Sequence, residues 1–499
     1  MGKLVDVIIV STRNQQQETY WQQRLEQLRG IICRSDAIVV VVSADSPNRS
    51  SHGLSTLFAY EKAQKKAKSF YHIDIFEKQK QGASVVIYHA EGRGKRLFPL
   101  PASENNCPSM VKLPSFFGGE QLSIFETVIR HTLPLTKKRQ GRLSVFGGGH
   151  VFIPSKNFCD QPKYHIELLG MIEDFPLQTQ GISSPNEYAG FLTIDAAGKT
   201  QLLETVDEKT LQQLILMGKI PKTSQKGISL GSFSLSSQMT FALLREFSRE
   251  QQTGQKTDES DLSFWMPLTL DQETYLAVML QRNHYTRKKL NNHYVRMQAF
   301  KNKFIRLHSQ KDFLGVLNIG TNGYWWDYRS TVSYYENLMK LITNDPEGQT
   351  MRLFYQIDRK QENTHQNRVI KDDHSYLMQC NIRSGKVTNS VLLGVSADSL
   401  EVEDSVIIDS HFSFLQASRS LLYCVQEADP LCCQSGTIRA DVTLPTIGDH
   451  LKMVTHIERN SQADWEKILP ANSLSFETLH RAIERRLISS SLGRKPHGG

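Results

Sequence analysis

Residues 85–114 read VVIYHAEGRGKRLFPLPASENNCPSMVKLP. The run begins with three consecutive β-branched residues, Val85, Val86 and Ile87, which is typical of a strand buried on both faces. It then breaks into a loop with two glycines and several cations, namely Gly92, Gly94, Arg93, Lys95, Arg96 and, further on, Lys112. Because exposed backbone N–H groups and cations together bind phosphate, the stretch predicts a strand that leads into a polyphosphate loop. The alternative is a plain turn with solvated cations, since a pair of glycines is a short motif.

Length and composition set the class of protein. A chain of 499 residues is long enough for two or three domains. Its formal charge of +8 permits anionic ligands such as phosphorylated small molecules and does not require nucleic acid. The apolar runs are too short for a signal segment or a membrane span. The seven cysteines are scattered without CxxC spacing, which argues against a disulfide framework or a zinc site. We therefore expect a cytoplasmic protein without membrane contact.

The first 150 residues alternate strand-like and helix-like patterns, which predicts stacked βα units around a mostly parallel sheet. The expected strands are VDVIIVS near the N-terminus, AIVVVVSA at 37–44 and the run at 85–89, with helices at 16–29 and 51–68 between them. A further helix is expected near 121–133, followed by LSVFGGGHVFIP, whose glycine cluster ends a strand. Ligands bind at the carboxyl ends of strands in open α/β sheets, so this cluster is a second candidate for the site.

The rest of the chain divides into two kinds of pattern. Residues 248–262 are polar and without periodicity, which predicts an exposed excursion, and 270–310 is a basic, helix-like region. For that region a solvated helical face is favoured over nucleic-acid contact, because apolar residues are interspersed. We expect one α/β domain over 1–345, a β-rich domain over 346–488 and a disordered tail over 489–499.

A short repeat marks the β-rich domain. Residues Asn389, Ser390 and Val391 recur as Asp404, Ser405 and Val406 within 387–414. A turn-strand unit of this kind predicts β-helix coils that each bury an aliphatic row against the next. With two copies, an ordinary β-sheet domain stays open as the alternative.

The segment HAEGRGKRLFPLP with its downstream lysine resembles the signature of the sugar-1-phosphate nucleotidyltransferases. The matching positions are Ala90, Gly92, Gly94, Arg96, Pro99, Leu100 and Lys112. A second segment, GYWWDYRSTVSYYENLMKLI at 323–342, is similar to the Trp-x-Asp segment that closes the catalytic domain of that superfamily. The resemblance implies a Rossmann-like, GT-A-like mixed sheet followed by a left-handed β-helix-like domain.

Within the superfamily, the chain looks most like the L-fucose-1-phosphate guanylyltransferase (GDP-fucose pyrophosphorylase) branch. That branch has extra βα units before the signature, a glycine turn within them and a histidine that opens the signature. Here SHGLSTLFA supplies Gly53, Thr56 and Leu57, and His89 opens HAEGRGKR. The resemblance therefore favours GTP and fucose 1-phosphate as substrates in nucleotide-sugar biosynthesis.

The implied reaction is in-line attack of a sugar 1-phosphate on the α-phosphorus of a nucleoside triphosphate, with release of pyrophosphate. Positioning and charge neutralisation catalyse such a step. Arg96 and Lys112 are the implied catalytic cations, and Asp327 is implied to lie near Mg²⁺ and the sugar phosphate. The nucleotide-binding candidates are Gly53, His89, Ala90, Gly92, Arg93, Gly94 and Lys95.

Several positions depart from the superfamily pattern. Glu91 replaces a usual glycine, and a carboxylate repels a triphosphate unless a cation such as Lys95 intervenes. His150 follows Gly149 where a metal-binding aspartate is usual, and histidine is a poor ligand for a hard cation. His150 is thus either a weak metal candidate, a phosphate or base contact, or a structural residue. Lys209 is the candidate for the sugar-phosphate lysine, with a surface lysine as the alternative.

Two rival functions follow. Glu91 and His150 also fit a catalytically inactive relative that binds a nucleotide sugar or a partner protein. The repeats fit a hexapeptide-repeat acyltransferase less well, because only His411 lies among them as a candidate base. The sequence determines neither the base nor the sugar, nor whether the C-terminal domain forms a homo-oligomer.

Overall fold

The structure is a computed structural model that describes residues 6–44, 52–117, 120–136, 139–156, 162–173, 190–204, 206, 208–220, 225–253, 262–281, 285–309, 311–357, 368–444, 449–459 and 461–492. Its strands are β1 Val7–Thr12, β2 Ile38–Ser43, β3 Val85–His89, β4 Lys112–Phe117, β5 Glu120–Ser123, β6 Arg142–Gly147, β7 His150–Ile153, β8 Tyr164–Glu173, β9 Gly190–Ile194, β10 Thr200–Leu203, β11 Gln225–Ser236, β12 Asp312–Asn318, β13 Tyr324–Asp327, β14 Val369–Lys371, β15 Tyr376–Met378, β16 Asn381–Thr388, β17 Val391–Leu393, β18 Ser396–Glu403, β19 Val406–Ile408, β20 His411–Ser418, β21 Leu421–Tyr423, β22 Gln426–Glu427, β23 Leu431–Cys432, β24 Thr437–Leu444 and β25 Asp449–His456.

The α-helices are α1 Gln15–Gln27, α2 His52–Tyr71, α3 Ile75–Lys80, α4 Leu100–Ser103, α5 Ile124–Thr136, α6 Glu208–Leu216, α7 Ser237–Glu246, α8 Ser248–Thr253, α9 Met266–Thr269, α10 Gln272–Leu280, α11 Arg287–Leu307, α12 Thr331–Met339, α13 Pro346–Tyr355 and α14 Phe476–Leu492. Short 3-10 turns cover Pro108–Met110 and Lys340–Ile342. None of these described helices is long and apolar enough to cross a membrane.

The chain divides into two compact units, and each is built from separate stretches of sequence. Unit 1 comprises Met1–Glu91, Arg130–Gly147 and Phe152–Tyr324, and unit 2 comprises Gly92–Ile129, Gly148–Val151 and Trp325–Gly499. This division differs from the boundary expected at 345. The physical reason is the packing of Phe98, whose buried ring contacts Trp465 and Phe476, so the signature loop groups with the C-terminal part.

Unit 1 contains a mixed sheet in which β6, β3, β1 and β2 lie side by side and parallel. Strand β11 extends it by antiparallel pairing with β6, β8 and β9, and β12 lies parallel to β8. The predicted strands of the first 150 residues are confirmed, and every residue of β1 is buried. The mixed α/β character expected for this part is therefore confirmed.

Helix α2 shows how the sheet of unit 1 is covered. Its Tyr60 and Ala63 lie in the same core cluster as Val7, Ile9 and Ile87 of the sheet. The helix is one of the predicted pair, and the other, α1, begins after Asn14, whose side chain accepts a hydrogen bond from the Gln17 amide. Cover by helices explains why these parallel strands are continuous runs of β-branched residues.

Two predictions for the middle of unit 1 have different outcomes. Residues 248–253 form helix α8, and its Glu250 is buried in an ion pair with Arg296 (2.6 Å), so this part of 248–262 is not an exposed excursion. Residues 254–261 lie outside the described residues. The basic region forms α10 and α11 as expected, and α11 buries Leu290, Met297 and Phe304 while Arg287 and Lys288 stay exposed.

Unit 2 contains a stack of parallel strands with a period of 15 residues. Val391 of β17 pairs with Val406 of β19, which pairs with Leu421 of β21, so the two predicted repeat copies do stack in register. Longer strands β16, β18 and β20 form a second parallel sheet beside them. Buried serines link the coils, because the hydroxyl of Ser390 accepts from the Ser405 amide and that of Ser405 from the Ser420 amide, each at 3.0 Å.

The C-terminal end of unit 2 is helical. Helix α14 runs from Phe476 to Leu492, so residues 489–492 are helical where the sequence predicted a disordered tail. The buried side chains of Phe476, Leu479 and Ile483 pack with Phe98 and Trp465, which explains why the helix forms. Residues 493–499 lie outside the described residues.

Candidate functional site

The crevice for a ligand in unit 1 follows from the order of its strands. The connection from β1 leads to β2 on one side, and β3 lies on the other side of β1. A ligand crevice forms at such a switch point, at the carboxyl ends of the two strands. The signature segment follows β3 directly, and its Ala90 amide donates to the Ser11 carbonyl at 2.8 Å. The predicted phosphate loop thus starts at the switch point.

His89 organises this edge of unit 1. Its Nε2 lies 2.8 Å from Thr56 Oγ1, and its Nδ1 lies 3.0 Å from Glu91 Oε1. The histidine is nearly buried, while Glu91 is partly exposed. The carboxylate that departs from the superfamily pattern is therefore held by the imidazole that opens the signature. This contact orients the Glu91 carboxylate.

Gly53 and Gly94 have packing reasons to be glycine. A Cβ on Gly53 would lie 2.5 Å from the ring of Phe264, so helix α2 needs a glycine to pass that ring. Gly94 has a φ of +64° and faces the Pro108 ring, which a Cβ would meet at 2.4 Å. Gly92, by contrast, is exposed, and a Cβ there would meet nothing within 4 Å. Of the three predicted nucleotide-binding glycines, Gly92 has the open surface that such a role needs.

The cations of the signature loop belong to unit 2 and have different surroundings. Arg93 is exposed, whereas the Lys95 ammonium lies 4.8 Å from the centre of the Trp465 ring. The backbone carbonyl of Arg96 accepts a hydrogen bond from the Thr331 amide at 3.0 Å. The structure thus brings together the two segments, 90–100 and 323–342, that the sequence singled out far apart.

Lys112 begins strand β4 and is clamped by two tyrosines. Its amide donates to the hydroxyl of Tyr423 at 3.0 Å, and its carbonyl accepts from the hydroxyl of Tyr334. Its side chain acts electrostatically on two carboxyls, Glu104 and Asp409. Lys112 lowers the pKa of both carboxyls against the larger effect of burial. A phosphate contact of its side chain stays a prediction from the resemblance.

Glu104 and Asp409 are acidic groups that sequence reasoning missed. Burial raises the pKa of Glu104, although the Tyr423 hydroxyl, which donates to it at 2.6 Å, and Lys112 act in the opposite direction. Burial likewise raises the pKa of Asp409 against the effect of Lys112. No spacing rule could have found this group, because its members are about 300 residues apart in the sequence.

Asp327, the predicted metal ligand, is engaged by an arginine. Its Oδ1 accepts from the amide of Arg329 (2.9 Å) and from Nε (2.8 Å), and its Oδ2 accepts from Nη2 (2.8 Å). Burial raises the pKa of Asp327, but Arg329 outweighs that effect and holds it below the usual value. The i, i+2 spacing of opposite charges in the closing segment is a sequence signal for this pair.

His150 and Gly149 lie near the pair formed by Asp327 and Arg329. The His150 ring is buried and meets Trp325 edge-on, at 6.0 Å between ring centres. A Cβ on Gly149 would lie 2.5 Å from Cγ of Arg329, so that glycine leaves room for the arginine side chain. Trp326 is fully buried, and its indole N–H donates to Glu347 at 2.9 Å.

These residues do not fit a Mg²⁺ ion bound by Asp327 and His150. Both carboxylate oxygens already accept from a guanidinium, whose charge repels a second cation. Histidine adds no hard oxygen ligand. Among the residues that the structure describes, no group of three or more His, Cys, Asp or Glu is arranged to hold a metal.

Two further residues, Lys209 and His411, and one cavity stand apart from these contacts. Lys209 is an exposed residue in the first turn of α6, and its sugar-phosphate role stays a prediction. A cavity of about 680 Å³ lies in unit 1 beside Cys33, Arg130 and Leu133. None of the predicted site residues lines it. His411, the candidate base of the acyltransferase alternative, is exposed on β20.

The chain matches no known family model and no curated protein. One solved structure similar to it is the inositol-1-phosphate CTP transferase from T. maritima, with 8% sequence identity and a TM-score of 0.21, covering 67% of this chain and 93% of that one. A likeness this weak carries no argument about fold or function. Both therefore rest on the residues described above.

Proposed function

We propose that the chain is a nucleotidyltransferase that joins a nucleoside triphosphate to a sugar 1-phosphate and releases pyrophosphate. The observation that supports this most is the hydrogen bond from the Thr331 amide to the Arg96 carbonyl. It links the basic loop after β3 to the closing segment that the resemblance assigns to the same site. The start of that loop at the switch point of the sheet supports the proposal independently.

In this reaction a phosphate oxygen of the sugar 1-phosphate forms a bond to the α-phosphorus, and the bond from that phosphorus to the bridging oxygen of pyrophosphate breaks. No protein nucleophile takes part, so the residues act by position and charge. Arg96 is the proposed clamp on the departing phosphates, because its planar fork reaches two oxygens. Exposed Gly92 lets the backbone approach the triphosphate.

The finer assignments are proposals that rest on the resemblance alone. They are GTP and fucose 1-phosphate as substrates, Lys112 as a second catalytic cation, Lys209 as a sugar-phosphate contact, and Mg²⁺ as a cofactor carried by the phosphates. A left-handed β-helix is a further proposal that rests on the repeat together with the resemblance. A cytoplasmic location is a proposal that rests on the scattered cysteines and the short apolar runs.

The second candidate is a catalytically inactive protein that binds nucleotides or nucleotide sugars. It is favoured by two contacts, His89 with Glu91 and Arg329 with Asp327, because each uses a protein partner where turnover would use a ligand or a metal. Both candidates predict nucleotide binding, and they differ in turnover.

Pyrophosphate release with a panel of triphosphates and sugar 1-phosphates in Mg²⁺ separates the two. We expect turnover with at least one pair, and in the Arg96→Ala variant a loss of about a hundredfold in kcat, as for one missing transition-state donor. Arg383→Ala is the control, since Arg383 is an exposed arginine of unit 2 with a surface partner, Asp398. Nucleotide binding without turnover for any pair would instead support the inactive binder, and near-normal kcat in Arg96→Ala would remove the role of Arg96.

A further inference from the structure

Arg329 leaves part of its guanidinium unused. Its Nε and Nη2 donate hydrogen bonds to the two oxygens of Asp327, and its side chain is 32% exposed. A guanidinium has five N–H donors, and a side-on pair of this kind leaves both N–H groups of Nη1 directed away from the carboxylate. Among the residues that the structure describes, Arg329 donates to Asp327 alone. Its outer nitrogen is therefore available to a ligand.

A second arginine of unit 2 shows what a purely structural pair looks like. Arg439 donates through Nε and Nη2 to Asp441, two residues along the chain, in the same geometry (2.8 and 2.9 Å). Its side chain, however, is only 5% exposed, and Nη2 also donates to Glu427 at 3.0 Å. Because the Arg439 guanidinium is buried and paired with two carboxylates, it is not open to a ligand. Arg329 has one carboxylate and an open side.

Arg329 packs against Gly149 and lies in a segment that is hydrogen-bonded to the signature loop. Gly149 packs against its Cγ and Cδ, so the side chain lies along a backbone that only a glycine permits. Two residues after Arg329, the amide of Thr331 donates to the carbonyl of Arg96. The backbone two residues beyond Arg329 is thus hydrogen-bonded to the predicted phosphate loop, and Asp327 orients the guanidinium.

We propose that Arg329 is a phosphate-binding residue, positioned by Asp327, that supplies the positive charge for which the resemblance would use a metal at Asp327. Its ligand is a phosphoanion such as pyrophosphate or the triphosphate of a nucleotide. The inference deepens the proposed function and rests on it for the location of the site. It does not require turnover, because it concerns the binding of the anion.

The test is isothermal titration of the full chain with inorganic pyrophosphate in EDTA. We expect the wild-type protein to bind without divalent metal, and Arg329→Met to weaken binding by about 10- to 100-fold, as for one charge-assisted hydrogen bond. Arg329→Lys should recover part of the affinity, since it restores a point charge without the fork. Arg383→Met is the control for lost charge and should bind as the wild type does.

Arg329→Met leaves the buried Asp327 carboxylate unpaired and risks unfolding. The double variant Asp327→Asn with Arg329→Met removes both charges, so no unpaired carboxylate is left buried and the loss of pyrophosphate binding can still be measured. Asp327→Asn alone is used in a second measurement, in which electron paramagnetic resonance detects the binding of Mn²⁺.

We expect this variant to bind Mn²⁺ as the wild type does, because Asp327 is paired with an arginine.

Each outcome decides the inference. Absence of pyrophosphate binding by the wild type in EDTA, equal affinity in the double variant, or Mn²⁺ binding that Asp327→Asn weakens would overturn it. If the double variant bound pyrophosphate as tightly as the wild type, and the wild type turned over a nucleotide normally, the inference would be overturned and the proposed function would stand. Loss of pyrophosphate binding in the double variant would uphold the inference. If the wild-type protein also turned over no substrate pair, the proposed function would be removed while the inference stood.

Discussion

At the scale of single residues, charges that look ready for a ligand in the sequence are largely engaged by protein groups. Glu91 contacts His89, Asp327 pairs with Arg329, and Lys112 offsets buried carboxyls. Buried charge is costly unless it is paired, so a fold that buries these positions must supply partners. The residues that keep an open side, such as Arg93 and Arg329, are for that reason the better candidates for phosphate.

Glu104 is predicted to make stability depend on pH. Burial raises the pKa of this carboxyl above its ordinary value of 4.5, so the folded state keeps a proton that the unfolded chain has released. The stability contributed by the protonated form is full below that value and is lost as pH rises through the folded pKa. The groups that face the carboxyl are Tyr423, Lys112 and Asp409.

We therefore expect Glu104→Gln to unfold like the wild type near pH 4 and to become the more stable protein as pH rises, by on the order of 1 kcal/mol at neutral pH. The amide keeps an oxygen for the Tyr423 hydroxyl. Denaturant unfolding from pH 4 to 8 measures the difference. A wild-type protein that is more stable than the variant at pH 7 would contradict the raised pKa.

At the scale of elements, the strands follow their sequence patterns closely. Consecutive β-branched residues predicted the buried parallel strands β1, β2 and β3, and the repeat around Ser390 and Ser405 predicted the stacking of coils. Both patterns are local and repeat at the period of the element, so they are readable without tertiary information. The repeated serines Ser375, Ser390, Ser405 and Ser420 form a ladder that is less evident from the sequence. The hydroxyl of each of the first three accepts a hydrogen bond from the amide 15 residues later.

Replacement of one rung of this ladder should weaken the coil stack. The hydroxyl of Ser405 donates to the Glu403 carbonyl at 2.7 Å and accepts from the Ser420 amide, and the residue is fully buried. Ser405→Ala leaves both backbone groups without that partner, so we expect a loss of about 1–3 kcal/mol in the free energy of unfolding. Ser413→Ala is a matched control, since the Ser413 hydroxyl has no hydrogen-bond partner in the described part of the chain. Equal stability of the two variants would argue against the ladder.

At the scale of the whole molecule, unit 2 is assembled from stretches that are far apart in the sequence, chiefly Gly92–Ile129 and Trp325–Gly499. Phe98 is buried between Trp465 and Phe476, Ser103 donates to the Asp441 carbonyl at 2.9 Å, and Asn106 donates to the His480 carbonyl at 2.8 Å. These partners lie more than 300 residues after the loop. The phosphate loop thus depends on the C-terminal part of the chain for its own packing.

A chain that ends at residue 345 should therefore fail to fold its signature loop, although the sequence predicted 1–345 as one domain. We expect amide hydrogens in residues 92–129 to exchange much faster than in the full chain, because their buried partners are gone. Hydrogen exchange with mass spectrometry measures this, with residues 7–43 of unit 1 as the internal reference. Full protection of residues 92–129 in the shortened chain would restore the boundary at 345.

The sequence by itself determined the parallel strands of unit 1, the stacking of the coils and the phosphate loop as the candidate site, because each is encoded by neighbouring residues with a regular period. Only the tertiary structure decided which charges have protein partners. Arg329 beside Gly149, and Glu104 beside Tyr423, meet through contacts between distant segments that no spacing rule contains. The pKa and the charge of a side chain depend on its burial and on the nearest opposite charge, so only the folded chain could decide the electrostatics of these residues.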